Sequence, residues 1–306
     1  MNDGAYARQG LISRRRALAL EPWLYASPAA LLIVAVMLMP LAIGVSYAFR
    51  NILLLDPSSG DYIGFDHFIE VWRDASFWNA LTNTVMWTVI SVALQFVFGL
   101  GLALLLNRPF AGRGLVQALV FLPWAVPTFL SGLNWAWLFN PVVGPIPHWL
   151  TAVGIMSTPA NILSDPAHAM WGPIVAIVWW GIPFFAITLL AALQSIPKDV
   201  YEAAAIDGAG PMVRFWTITV PYLAPTMLIT VMLRAVWIAN AADLIVVMTR
   251  GGPADSTQIL ASYIFTQAFQ ALDFGYASAI AVVLLVLLLI YSAVLILFRH
   301  VILKMS

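Results

Sequence analysis

The sequence predicts an all-α integral membrane protein with six transmembrane helices and both termini on the cytoplasmic side. Composition, the length of the apolar runs and the placement of Lys and Arg carry that prediction. Hydrophobic residues make up 62% of the 306 and charged residues only 9%, against about 25% charged in a soluble domain. A chain so poor in charge is better solvated by lipid than by water. Its formal net charge of zero gives nucleic acid no electrostatic footing. Cysteine is absent, and His67, His148, His168 and His300 show no ligand spacing. Disulfides and thiol chemistry are therefore excluded, and no metal site is expected.

A spanning helix needs about 20 mostly apolar residues, and six stretches qualify. They run from Trp23 to Phe49, Leu81 to Leu106, Leu115 to Phe139, Met170 to Leu193, Leu223 to Met248 and Tyr276 to Phe298. Pro123 and Pro127 fall inside the third, where packed neighbours can satisfy the freed backbone groups. Arg14, Arg15 and Arg16 precede the first run. That run is longer than the roughly 7–15-residue core of a cleaved signal, so an uncleaved first span is expected. The chain divides into a cytoplasmic N-terminal segment, 1–22, and one membrane domain, 23–306, with no internal repeat.

Orientation follows from the basic residues. With the N-terminus inside, Arg8, Arg14, Arg15, Arg16, Arg108, Arg113, Lys198, Arg214, Arg299 and Lys304 share the inner side, and Arg50, Arg73 and Arg250 the outer. The first outer loop is acidic, with Asp56, Asp61, Asp66, Glu70 and Asp74. Trp23, Trp72, Trp78 and Trp149 lie near span ends, where amphipathic rings favour the interface.

The long inner connection, 194–222, reads QSIPKDVYEAAAIDGAGPMVRFWTITVPY. Pro197 with Lys198 and Asp199 starts a helix, and Asp199 to Ala205 sustain it. Gly208 and Gly210 allow tight turns. Pro211 begins a second helix with Phe215, Trp216 and Ile218 on its apolar face. The segment thus reads as a small helix–turn–helix at the membrane surface whose apolar side chains need a partner.

Here the chain closely resembles the permease subunits of binding-protein-dependent ABC importers. Their signature is Glu-Ala-Ala, three residues, Gly, nine residues, Ile, one residue, Leu, Pro. This chain has Glu202-Ala203-Ala204, Gly208, Ile218 and Pro221 at that spacing, with Val220 in place of the Leu. The extended form from Tyr201 through Asp207 to Ala209 is also present. LPWAVP at 122–127, NWAWLFNP at 134–141 and MTRGGPADST at 248–257 resemble the branch that imports sugars and related solutes. The resemblance implies the ABC importer permease fold in the bacterial inner membrane, a second similar permease, two ATPase subunits and a soluble or lipid-anchored solute-binding protein. The outer loops, 50–78 and 141–169, are where that protein is expected to dock. It implies a coupling helix that carries Tyr201, Glu202, Ala203, Ala204, Asp207 and Gly208 into a cleft of the ATPase, which binds the ATP and Mg. The chain has no GxxxxGK[ST] loop, so it binds no cofactor itself and is not expected to be an enzyme.

Ionisable residues inside a membrane are functional candidates by default. Arg234 lies about 11 residues into the fifth run, near mid-membrane at about 1.5 Å per residue. Asn240 and Asp243 follow, three apart, which places them on one face of a continuous helix. Arg234 and Asp243 are nine apart and do not pair unless the helix is broken. Arg234 either contacts solute, faces a partner subunit, or is a structural charge bonded to backbone carbonyls. Similarity to the maltose-importing relative implies solute contacts at Trp180, Gly181, Phe184, Arg234 and Ile238, with the two rings stacking on sugar and Gly181 admitting solute to the backbone. Packing alone also accounts for such rings.

Two other classes compete. A secondary transporter driven by an ion gradient would show internal repeats and broken helices around an ion site. An intramembrane enzyme would need HExxH, GxSxG or paired membrane aspartates, and none is present.

Overall fold

The structure, a computed structural model, describes residue 22, residues 25–56 and residues 58–305, with 298–305 as backbone. Most of the expected segment 1–22, with Arg8 and Arg14 to Arg16, lies outside the described residues, as do Trp23 and the side chains of Arg299 and Lys304. Among the described residues no β-strand forms beyond two isolated bridges, Arg50 with Tyr62 and Leu53 with Asp273.

Five helices are long and apolar enough to cross a membrane: α1 (Tyr25–Tyr47), α3 (Ala75–Leu106), α7 (Trp171–Gln194), α9 (Pro211–Ala239) and α12 (Phe274–Met305). Together long and apolar enough for a sixth crossing is a bent pair, α4 (Arg113–Ala125) and α5 (Thr128–Leu138), at 94° to each other. The shorter helices are α2 (Asp66–Arg73), α6 (Pro145–Ala152), α8 (Lys198–Ile206), α10 (Ala242–Met248) and α11 (Leu260–Phe269).

Two expected spans are corrected. The third is not one helix, because Pro127 pushes Val126 out of the helical region, to φ −84° and ψ 127°. The fifth stops at Ala239 instead of reaching Met248. Asn240 turns its side chain back to the Val236 carbonyl, Ala241 leaves helical geometry, and α10 begins afresh. At its other end α9 begins at Pro211. The second helix of the expected surface pair is therefore the first turn of the fifth span.

The centre of the bundle is α7, whose apolar window is the most buried of the five. It runs parallel to α3, with Gln95 beside Gly181 and Gly99 beside Phe185. A Cβ on Gly99 would collide with the Phe185 Cβ and lie 3.2 Å from the Ala186 nitrogen. Lipid supplies no hydrophobic drive between helices, so this close approach of backbones supplies the packing. One core gathers Trp87, Ile174, Phe185, Leu189, Leu223 and Leu244 from α3, α7, α9 and α10. A second ties α2, α3, α11 and α12 at the end opposite the 194–222 loop, through Val71, Phe77, Tyr263 and Ile280. By contrast, the apolar window of α1 buries nothing within the chain.

Candidate functional site

Arg234 on α9 is 1% exposed, between α3 and α7. Its Nε donates to Gln95 Oε1 at 2.6 Å, while the Gln95 amide donates to the Ile177 carbonyl at 2.8 Å. The guanidinium carbon stands 4.9 Å from the Trp180 ring centroid and 5.7 Å from that of Phe184. Nη2 has no hydrogen-bond partner, and no carboxylate lies within ion-pair reach among the described residues. A Cβ on Gly181 would overlap both Arg234 Nη2 and the Gln95 amide. Gly181 thus makes room for these side chains. Gln95, fully buried, was missed because a lone Gln in an apolar run carries no spacing signal.

Tryptophans satisfy the backbone where the spans break. Trp180 Nε1 donates to the Val126 carbonyl at 2.7 Å, at the bend between α4 and α5. Trp87 Nε1 donates to the Ile238 carbonyl at 2.9 Å, just before the break after α9. An unsatisfied backbone group in hydrocarbon costs several kcal/mol, so the Trp180 bond supports the bend at Val126, whereas the Ile238 carbonyl also accepts from the Ala241 N–H at 3.0 Å. Ile238 is 1% exposed and belongs to the core.

The break in α9 also separates Asn240 from Asp243, so they do not share a helix face. Asp243 lies in the first turn of α10, where it accepts a hydrogen bond from Thr128 Oγ1 at the start of α5. It does not pair with Arg234. The carboxylate therefore sits at the positive end of α5, where an anion is favoured. Phe184 is buried and packs against Trp124 at 6.1 Å and Trp237 at 5.3 Å, and both tryptophans are exposed on their outer faces. Among the expected path residues, Asn240 and Asp243 are exposed and Trp180 is half-buried. Gly181, Phe184, Arg234 and Ile238 are buried.

At the other end, α8 presents Glu202, Ala203, Ala205 and Ile206 outward, with Ile206 88% exposed. Val200, Tyr201 and Ala204 pack inward on the core. Gly208 has φ +81°, the left-handed conformation that ends the helix and that glycine adopts without strain. Ile218 is buried and Pro221 lies in the first turn of the α-helical part of α9.

The bundle and its broken spans are those of a polytopic membrane protein, with α8 exposed at its surface. The chain belongs to the family described as binding-protein-dependent transport system inner membrane component, which residues 95–304 match. This places it in the inner membrane and sets aside the ion-gradient alternative. The sulfoquinovosyl glycerol transport system permease protein SmoG of Agrobacterium fabrum is 35% identical over 268 residues, covering 88% of this chain and 86% of that one. The trehalose/maltose transport system permease protein MalF of Thermococcus litoralis is 36% identical over 233 residues, covering 76% and 78%. The fold is shared with a chain of a bacterial ABC transporter that imports the acidic polysaccharide alginate, with a TM-score of 0.79 at 23% identity, covering 95% and 99%.

Proposed function

We propose that this chain is one of two membrane-spanning halves of an ATP-driven importer for a sugar or sugar-like solute. Separate ATPase subunits dock on α8 and its turn, and a binding protein delivers solute at the opposite end. The observation that carries this is the exposed lever: a helix with an apolar knob at Ile206, a charged Glu202 and a left-handed Gly208 fixing its exit. A surface helix of this kind needs a protein partner to bury it. Relatives named for sulfoquinovosyl glycerol, trehalose/maltose and lactose transport support the sugar class.

Solute meets the chain where both spans break, at the exposed rings of Trp124 and Trp237 and at Asn240 and Asp243. Arg234 is engaged by Gln95 and Trp180 and holds this region in place. ATP chemistry belongs to the docked subunits; this chain supplies the path and the lever.

The test is a pull-down of the tagged chain from detergent-solubilised native membranes, followed by ATP hydrolysis assays with the binding protein across a sugar panel. Recovery of an ATPase and a second permease, with hydrolysis stimulated by one sugar, supports the proposal. Trp237→Ala should then raise the concentration of that sugar needed for half-maximal stimulation. Recovery of the chain alone would overturn the proposal.

A further inference from the structure

Several threonines inside the helices of this chain bond the carbonyl four residues back. Thr82 bonds Trp78 at 2.9 Å, Thr217 bonds Val213 at 2.8 Å and Thr230 bonds Thr226 at 2.8 Å. Thr219 departs from this pattern. It closes a widened π-helical turn, Phe215–Thr219, inside α9. Its hydroxyl stands 3.5 Å from the Arg214 carbonyl, five residues back, and 2.9 Å from the Tyr201 hydroxyl on α8. Thr219 is 5% exposed. Among the described residues this is the one side-chain hydrogen bond that joins α8 to another helix.

The covalent link between the two helices is a poor transmitter. Asp207, Gly208 and Gly210 are exposed, and Gly208 and Gly210 have open space where a Cβ would stand. A push on α8 therefore reaches α9 through side chains: the inward packing of Val200 and Ala204, and the Tyr201–Thr219 bond. The bond lands on the widened turn, which holds an extra residue and so has slack to redistribute along α9. That helix carries Arg234 and ends at the break beside Asn240.

We infer that Tyr201 and Thr219 are positioning residues that form the joint through which displacement of α8 moves the fifth span. The inference rests on the proposed docking of ATPase subunits on α8. The chain contains no cysteine, so a single reporter, Ala241→Cys, can be introduced at the break that follows α9 and its maleimide labelling rate measured. The assembled transporter is compared without nucleotide and after trapping with ATP, Mg and vanadate. Trapping should change the rate in the reporter alone and with Thr219→Ser, which keeps the hydroxyl. Tyr201→Phe and Thr219→Val should each reduce that change roughly 5- to 10-fold, the factor that one hydrogen bond of usual net worth gives. The double variant should be no worse than either single one. A full change persisting in Tyr201→Phe and Thr219→Val, with nucleotide trapped, would overturn the inference. Loss of the ATPase subunits from both variants would assign the pair a scaffold role and overturn it too. If the reporter alone shows no response to trapping, the proposed docking fails, and the joint fails with it.

Discussion

Gln95 and Arg234 should fail as a unit. Gln95→Leu leaves the buried Nε of Arg234 without the acceptor now 2.6 Å away. A hydrogen bond to a charged group contributes about 1.5–3 kcal/mol, and stranding the charge adds to that. A loss of about 2–4 kcal/mol is expected. Arg234→Met removes the charge but leaves Gln95 Oε1 unpaired and forfeits the contact over Trp180, about 2 kcal/mol in a desolvated site. The double variant strands nothing. Replacing a buried polar group together with its partner by apolar side chains is often nearly neutral. The double should therefore be more stable than Gln95→Leu alone, with a coupling of about 2–3 kcal/mol. The assay is the thermal unfolding midpoint of the detergent-solubilised assembly at one fixed scan rate. With about 2–4 °C per kcal/mol for a chain of this size class, Gln95→Leu should lower it by roughly 5–10 °C. Shifts of the two single variants that simply add would refute the claim that the pair acts together.

Three further outcomes follow from the geometry. Gly181→Ala should destabilise the bundle sharply, because its Cβ would overlap Arg234 and Gln95, whereas Gly101→Ala, with open space at that point, should be neutral by the same melt. At the end opposite the loop, Asp74 accepts hydrogen bonds from Tyr263 at 2.6 Å and Tyr276 at 2.7 Å. Burial pushes Asp74 up, but these bonds and the backbone of Ser76 and Phe77 outweigh it and hold the carboxyl below its usual value. A depressed folded-state pKa gives stability that is full above about 3.9 and lost as pH falls through the folded value. The melting midpoint should therefore drop below about pH 4, and less steeply in Asp74→Asn. Finally, Glu202→Lys or Gly208→Pro should separate ATP hydrolysis from solute uptake in proteoliposomes while membrane insertion is retained; unchanged uptake per ATP would count against α8 as the lever.

Much of the fold was legible because lipid imposes a simple rule: long runs such as 276–298 have no other solvent. The helix α8 and its turn were equally legible, since Pro197, Glu202 and Gly208 act locally, through φ, ψ and helix propensity. The solute region was not. Periodicity treated 223–248 as one helix and so put Asn240 and Asp243 on a shared face. Nothing local to Asn240 announces that its amide will turn back on Val236 and end the helix.

Sequence by itself therefore determined that the chain spans a membrane, how many crossings it has room for, and where the surface helix α8 begins and turns. Each of these depends on neighbouring residues and on solvent. Only the tertiary structure decided where the third span breaks, because that bend leaves the Val126 carbonyl to a distant side chain, Trp180. It fixed the surroundings of Arg234 in the same way. The partner that takes its Nε is Gln95, 139 positions away in sequence, and the space for both exists only because residue 181 has no side chain.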